Sequence, residues 1–451
     1  MLNISKKQLF FFITFSVIMI IYISSYVFSL NFSIYGLILF SFLFTQLILS
    51  ILNKRDLCNL SFNKNKKINI LVVGYRENPE YWKKCIESIL HQSITFQKIL
   101  FSIDGDEEED IHMGEIAKSL IPSSDLLLNI HGGKRSAIIY GYQYLQSKYP
   151  SDYIIIIDSD TILDKDACLH LIKCIDSDDK IGCVTSNIKI FNKENLLTKI
   201  INARYSYAFN IERSYLSYLN IMNCCSGPLS IYRSKLIDED FIQKFKNQSC
   251  CKHKVEPGDD RHQTLLIMMK GYKSKMSPYS ICWTECPTQF KRFLRQQLRW
   301  MRSFYREQYW QYKALKNQPY CLSLVMTYEI LFPYLIIGWV LYLFYNPYSN
   351  IFLIIKSFIL TTFIALIRTI FIVIYTNNFE NIYNIFYLYI YFVTLIPLKV
   401  LALFTIFDNN WITSNRLHIT SNLSFDIILM YCSIIIWNIL LVNGFLQILL
   451  Y

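Results

Sequence analysis

Hydrophobic positions fall into two regimes along this chain. Residues 9–29 and 34–52 form two runs without Asp, Glu, Lys or Arg. Each is long enough to cross a hydrocarbon core of about 30 Å. Four further apolar stretches follow near 321–345, 350–375, 383–407 and 427–450, carrying Glu329, Arg368 and Lys399. Charges at such depth are costly and usually face protein or a watery path. Between these regions the pattern shortens and alternates. Ile68–Val73 reads as a short β-rich strand, and Asn78-Pro79 then opens a helix, Asn as cap and Pro at its first position. Trp82, Cys85, Ile86, Ile89 and Leu90 recur along that helix. Lys98–Ile103 is the next strand, and Tyr153–Ile157 is an unbroken apolar run, as expected of a strand covered on both faces. Strand, helix, strand, helix predicts an α/β domain with a mostly parallel sheet, joined to an α-helical transmembrane bundle.

The boundaries that follow are a transmembrane hairpin over 1–67, an α/β domain over 68–290, amphipathic interfacial helices over 291–318, and a region of about four spans over 319–451 with a polar connector near 408–418. Of the 451 residues 53% are hydrophobic and mean hydropathy is +0.26, which excludes a purely soluble chain. The first run is too long for a signal-peptide core and lacks a small-residue cleavage pattern. Lys6 and Lys7 precede the hairpin, and Lys54, Arg55, Lys64, Lys66 and Lys67 follow it. The positive-inside rule then places both termini and the α/β domain in the cytosol. A net charge of +11 lies largely beside the membrane, where it suits anionic headgroups, and it forms no separate basic module for nucleic acid. The 13 cysteines include no CxxC pair; Cys224-Cys225 and Cys250-Cys251 are adjacent, a poor fit to zinc. They read as reduced thiols.

Three polar clusters, at 74–77, 104–106 and 158–160, fall at the carboxyl ends of expected strands, where ligands bind in such sheets. Tyr75, Glu77 and Asp104 are therefore candidate substrate residues. The neighbouring acidic run Asp106–Asp110 reads as a solvated loop. Asp158 and Asp160 stand two apart on extended chain, so both can face one Mg²⁺ or Mn²⁺. Such an ion would neutralise a departing diphosphate. His131-Gly-Gly-Lys134 is a basic turn, read either as a solvated loop or as a nucleotide contact through Lys134. Gly258-Asp-Asp-Arg261 offers Asp260 as a general base for an acceptor hydroxyl, with Asp259 to orient it. Two adjacent Asp also suit a plain helix N-terminus. Gln296, Arg299 and Trp300 fall on one helix face. Arg offers a planar fork for pyrophosphate and Trp a flat face for a sugar ring. Lys291, Arg292, Arg295, Arg302 and Arg306 with Phe293, Phe304, Tyr305 and Tyr309 look like an interfacial amphipathic surface around them. Trp411–Arg416 lies in the last polar connector.

Read in order, these residues resemble the membrane-embedded inverting glycosyltransferases, most closely the class I hyaluronan synthases. The resemblance runs through Gly74–Tyr81, Gly133-Lys-Arg135, Asp158–Thr161, Ala208–Arg213, Ser226–Leu229 and Gly258–His262. It continues through Gln296–Trp300 with Ser303, Arg306 and Glu307, then Met326–Glu329, Pro397–Lys399 and Trp411–Arg416. It implies a GT-A type nucleotide-sugar domain, with Asp104 and Lys134 on uridine and diphosphate. Asp158 and Asp160 would address Mg²⁺ or Mn²⁺, and Asp260 would be the base. Arg299 would meet the diphosphate and Trp300 the acceptor sugar. Trp411, Thr413, Ser414 and Arg416 resemble a gating loop over bound nucleotide. The implied activity is processive synthesis and secretion of hyaluronan from UDP-GlcNAc and UDP-GlcUA at a plasma or cytoplasmic membrane. The partners are the donors, the growing chain and the bilayer, with no nucleic acid and no obligatory protein.

Departures exist. Ile412 and Asn415 stand where the family usually has glycines, and Ser136 replaces the usual acidic residue. Leu294–Ser303 matches the nodulation-type chitin-oligosaccharide synthases almost fully, so a chitin product from UDP-GlcNAc alone is the alternative. A transporter with a nucleotide-sugar sensor has no use for a base, and a single-transfer lipid-linked synthase has less need of Trp300.

Overall fold

The computed structural model describes residues 34–57, 60–250, 253–255, 257–345, 351–408 and 423–450. Of the two expected N-terminal spans, the first (9–29) lies outside the described residues, and the second is the helix Ile34–Asp56. The chain forms two compact units. One comprises the chain to Phe191, Ala208–Glu285 and Glu307–Leu322; the other comprises Asn192–Tyr207, Cys286–Arg306 and the chain from Ser323.

The first unit is built on an eight-stranded sheet. Its strands are β1 (Ile68–Gly74), β2 (Lys98–Ile103), β3 (Asp125–Leu128), β4 (Tyr153–Asp158), β5 (Ile162–Leu163), β6 (Ile181–Ile190), β7 (Leu229–Arg233) and β10 (Lys273–Thr284). A separate hairpin pairs β8 (Ser249–Cys250) with β9 (His253–Lys254). The spatial order in the main sheet is β3-β2-β1-β4-β7-β6-β10-β5. β3, β2, β1 and β4 run parallel, as do β6 and β10. β7 inserts antiparallel between β4 and β6, and β5 closes the far edge antiparallel to β10. The sheet is mixed: β7 is reached from β6 through the helices Leu196–Tyr207 and Arg213–Leu219, yet it pairs antiparallel with both of its neighbours.

The alternation of elements follows from local chemistry. The Asn78 side chain accepts the Glu80 N–H at 2.9 Å and Pro79 takes the first helical position, so the helix Pro79–Leu90 starts there. Trp82, Cys85, Ile86 and Ile89 turn inward from it, while Leu90 is exposed. In β4, Ile154 to Ile157 are all buried; each is worth about 1.5–3 kcal/mol of apolar transfer. That burial fixes β4 as a central strand and delivers Asp158 to its carboxyl end.

The helix Ile34–Asp56 belongs to this unit and buries a polar stripe of Ser41, Thr45, Gln46, Ser50 and Asn53. Asn53 donates to Ser214 Oγ at 3.1 Å, and Phe42 meets Tyr215 edge-on at 5.9 Å. Part of this second expected span is therefore turned toward protein, on the helix Arg213–Leu219.

Among the described residues four helices are long and apolar enough to cross a membrane, Tyr320–Tyr345, Ile351–Thr376, Phe379–Phe404 and Ile427–Gln447, and nearly all of their length lies in the second unit. They match the four expected C-terminal runs. Phe352, Phe363, Ile374 and Ile439 are among their exposed apolar side chains, as lipid contact requires. The third contains a π-helical turn, Tyr391–Leu395. Such a turn frees carbonyls. Here Phe392 O accepts from Trp437 Nε1 at 3.0 Å and Val393 O from Asn438 Nδ2 at 3.2 Å, so the last helix satisfies them. Arg368, one of the intramembrane charges, lies over the Tyr207 ring at 4.2 Å.

Candidate active site

At the carboxyl ends of β1, β2 and β4 the first unit gathers most of its candidate residues. Asp104 follows β2 directly and is buried. Its carboxylate accepts the Gly132 N–H at 2.9 Å and faces His131 Nδ1 at 3.0 Å. Burial still pushes its carboxyl above the usual range, outweighing these partners. Tyr75 stacks on the His131 ring, 4.6 Å between centroids at 21°. The turn at 131–134 is thus anchored to Asp104 rather than loose. The acidic run after it is only partly a solvated loop: Asp106 to Glu109 are exposed, but Asp110 is fully buried, 3.8 Å from the Arg76 guanidinium.

The same turn begins the helix Lys134–Lys148 and aims Lys134 at the end of β4. Lys134 Nζ lies 2.7 Å from Asp158 Oδ1 and 3.6 Å from Asp259 Oδ2. Burial would lower the ammonium's pKa, yet Asp158, Asp259 and Asp260 hold it above the ordinary lysine range. Asp158 itself is raised by burial, against the pull of Lys134. β4 ends at Asp158, so Asp160 sits on a turn rather than on extended chain. It accepts from Thr284 Oγ1 at 3.3 Å, while Ser159 Oγ donates to Glu77 at 2.8 Å. Burial first, then Glu77 and Asp158, push the Asp160 carboxyl up to about 7.

Crowded like charges of this kind suit a divalent cation. Among the described residues no group of three His, Cys, Asp or Glu side chains is arranged to hold one. Two carboxylates nonetheless fit Mg²⁺ or Mn²⁺, which commonly take one or two carboxylates and complete their shell with water and substrate phosphate.

Gly258, at φ +103°, turns the chain into the helix Asp259–Met269, so both Asp stand in its first turn. Gly258-Asp-Asp is a helix N-terminus, and it sets the Asp259 carboxylate 3.6 Å from Lys134 Nζ. Asp259 is buried beside Lys134; Asp260 is half-buried, with its Oδ1 accepting the Arg261 N–H at 2.7 Å and its Oδ2 3.5 Å from the Cys224 thiol.

Some of the site was not legible in advance. A Cβ on Gly227 would stand 2.8 Å from Asp158 Oδ2 and 3.0 Å from Lys134 Nζ, so this position bounds the pair. Arg213 bonds Cys224 O at 3.1 Å and also the Ser226 hydroxyl, fixing the loop that carries Gly227. Arg213 holds its own neighbourhood, whereas the role of Gly227 depends on Asp158 and Lys134, far away in the sequence.

Gln296, Arg299 and Trp300 lie on the helix Phe290–Ala314, in the second unit. Trp300 is exposed. The surrounding basic residues are not all interfacial. Arg302 and Arg306 are buried. Arg302 pairs with Asp408 at 2.8 Å and Thr405 at 2.9 Å, and Arg306 donates to the Ile406 and Asp408 carbonyls at 3.0 Å. Trp411, Thr413 and Arg416 lie outside the described residues.

The profile described as Glycosyl transferase family group 2 matches residues 153–443. Human hyaluronan synthase 2 is 30% identical over 439 residues, covering 87% of this chain and 78% of that protein. Hyaluronan synthase 3 of Xenopus laevis is 28% identical over 452 residues, covering 90% and 80%. A solved mannosyltransferase from Pyrobaculum calidifontis, in complex with GDP-Man and Mn²⁺, overlays with a TM-score of 0.44 at 14% identity, covering 67% of this chain and 82% of that one. The chain is accordingly a glycosyltransferase with an α/β domain on a mixed sheet, and its apolar helices make it a membrane protein. The chain belongs to glycosyl transferase family group 2, and within it to the hyaluronan synthase family.

Proposed function

We propose that this enzyme makes hyaluronan processively, by alternating inverting transfer from UDP-GlcNAc and UDP-GlcUA, and secretes it across the membrane it spans. Family membership supports the product. The observation that carries the reaction is the convergence of Lys134, Asp158, Asp160, Asp259 and Asp260 at one end of the sheet. In this reading Tyr75 and Asp104 hold the uridine, and Lys134 meets the diphosphate. Asp158 and Asp160 hold Mg²⁺ or Mn²⁺, which when bound neutralises charge growing on the departing diphosphate. Glu77 steadies the turn of Asp158–Asp160 through Ser159.

Asp260, the less buried of the two acids at its helix start, takes the proton of the acceptor hydroxyl as oxygen attacks the anomeric carbon. The C–O bond forms on the face opposite the departing UDP, which converts an α-linked donor into a β-linkage. Gln296 and Arg299 are assigned to the leaving diphosphate, and Trp300 stacks on the acceptor sugar. The α/β domain faces the cytosol, where nucleotide sugars are made, with Lys54 and Arg55 at the end of the helix Ile34–Asp56 on the same side. Chitin synthesis from UDP-GlcNAc alone is the second reading, favoured by the sequence of Leu294–Ser303.

The test is Asp260→Asn in the full-length chain. Transfer is abolished while UDP binding stays within about twofold, because the base acts only in the transition state. A variant with wild-type turnover sinks the assignment.

A further inference from the structure

We propose that Glu307 and His262 act as positioning residues for Asp260. The proposal rests on Asp260 being the base. His262 sits two residues beyond it and is fully buried. Its backbone N–H donates to Gly258 O at 3.0 Å, closing the helical turn that carries Asp259 and Asp260. Any movement of His262 is therefore passed directly to that turn.

The ring of His262 is held on every side. Nδ1 lies 3.2 Å from Glu307 Oε2, and Nε2 lies 3.4 Å from the Lys244 carbonyl. Phe245 stacks on one face at 6.3 Å and 17°, and Trp310 meets it edge-on at 4.9 Å. Glu307 is also fully buried, and its second oxygen accepts from the Gln248 side chain. Gln248 stands at the base of the β8–β9 hairpin, where its carbonyl accepts from Val255 N at 3.1 Å.

One buried carboxylate thus holds both Gln248 and His262, and His262 closes the turn that presents Asp260. A buried carboxylate is expensive unless its acceptor sites are filled, so the arrangement is self-locking: Gln248 and His262 each need Glu307, and Glu307 needs both. Glu307 lies on the helix that also bears Arg299 and Trp300.

A contact serving stability alone lowers the amount of folded enzyme. A positioning contact lowers kcat of the folded enzyme and spares donor binding. The experiment measures UDP release by full-length, detergent-purified protein, normalised to folded monodisperse enzyme, for His262→Leu, His262→Asn, Glu307→Gln and Asp260→Asn. Glu307→Gln keeps the shape but leaves one acceptor oxygen for two donors. His262→Asn places an amide N–H near the position of Nδ1.

The expected result is a fall in kcat of about tenfold to a hundredfold for His262→Leu and Glu307→Gln, with donor KM within about twofold. His262→Asn recovers most of the loss. Unchanged kcat per folded molecule in Glu307→Gln, or a fall in kcat accompanied by a donor KM raised well beyond twofold, overturns the proposal. Equal loss in His262→Asn and His262→Leu also overturns it. If His262→Leu does not fold, Glu307→Gln and His262→Asn decide it on the same terms. Asp260→Asn separates the two levels: if it is active, the base assignment fails and the positioning role with it. If it is inactive while Glu307→Gln matches wild type, the positioning role alone fails.

Discussion

Gly227→Ala is the most discriminating small perturbation of this site. Its φ lies outside the left-handed region, so alanine costs nothing in backbone strain. The added methyl would stand 2.8 Å from Asp158 Oδ2 and 3.0 Å from Lys134 Nζ. Non-bonded heavy atoms prefer about 3.5 Å, so the carboxylate and ammonium must retreat by about 0.5 Å or more. Both are ends of flexible side chains, and the fold can absorb the shift at less than about 1 kcal/mol. The site cannot, because catalytic groups must hold position to about 0.5 Å. Donor kcat/KM should fall at least about tenfold, equivalent to about 1.4 kcal/mol of transition-state stabilisation. UDP release across a range of donor concentrations, with a thermal melt of the same preparation, measures both quantities. Wild-type kcat/KM in a folded Gly227→Ala protein refutes the placement of the Asp158–Lys134 pair in the donor site. A melt lowered in step with activity refutes the claim that the effect is local.

Three further outcomes follow. Trp300→Ala should leave UDP binding near wild type while acceptor-dependent turnover falls at least about tenfold, since only the stacking face is lost; Trp300→Phe should restore much of it. A ring of equal value in neither process would show as indistinguishable Ala and Phe variants. Arg302→Met removes a buried guanidinium from half-buried Asp408 and should cost about 1–3 kcal/mol, read as a lower melting temperature, whereas an interfacial arginine would cost almost nothing. Chelation with EDTA should stop UDP release, and Mg²⁺ or Mn²⁺ should restore it in wild type but not in Asp160→Asn; full activity in EDTA contradicts the role given to Asp158 and Asp160.

Much of the architecture was legible because burial on both faces leaves a plain pattern. Ile154 to Ile157 announced a central strand, and the polar residues just beyond it announced a ligand end. Long apolar runs marked the four C-terminal helices just as directly. The antiparallel β7 was less accessible, since nothing in Leu229–Arg233 distinguishes the direction of a buried strand. Side-chain partners across long separations were least accessible. Lys134, Asp158 and Asp259 were each singled out, yet their mutual pairing depends on three elements meeting. Arg302 and Arg306 were misplaced for a related reason: spacing gives the face of a helix, but only the structure shows that Thr405–Asp408 covers it.

Product analysis tests the central claim most directly. Purified enzyme would be given UDP-GlcNAc, UDP-GlcUA, or both, with Mg²⁺ or Mn²⁺ present. The account predicts a long, hyaluronidase-sensitive polymer only when both donors are supplied. Polymer from UDP-GlcNAc alone would contradict it and make the enzyme a chitin synthase.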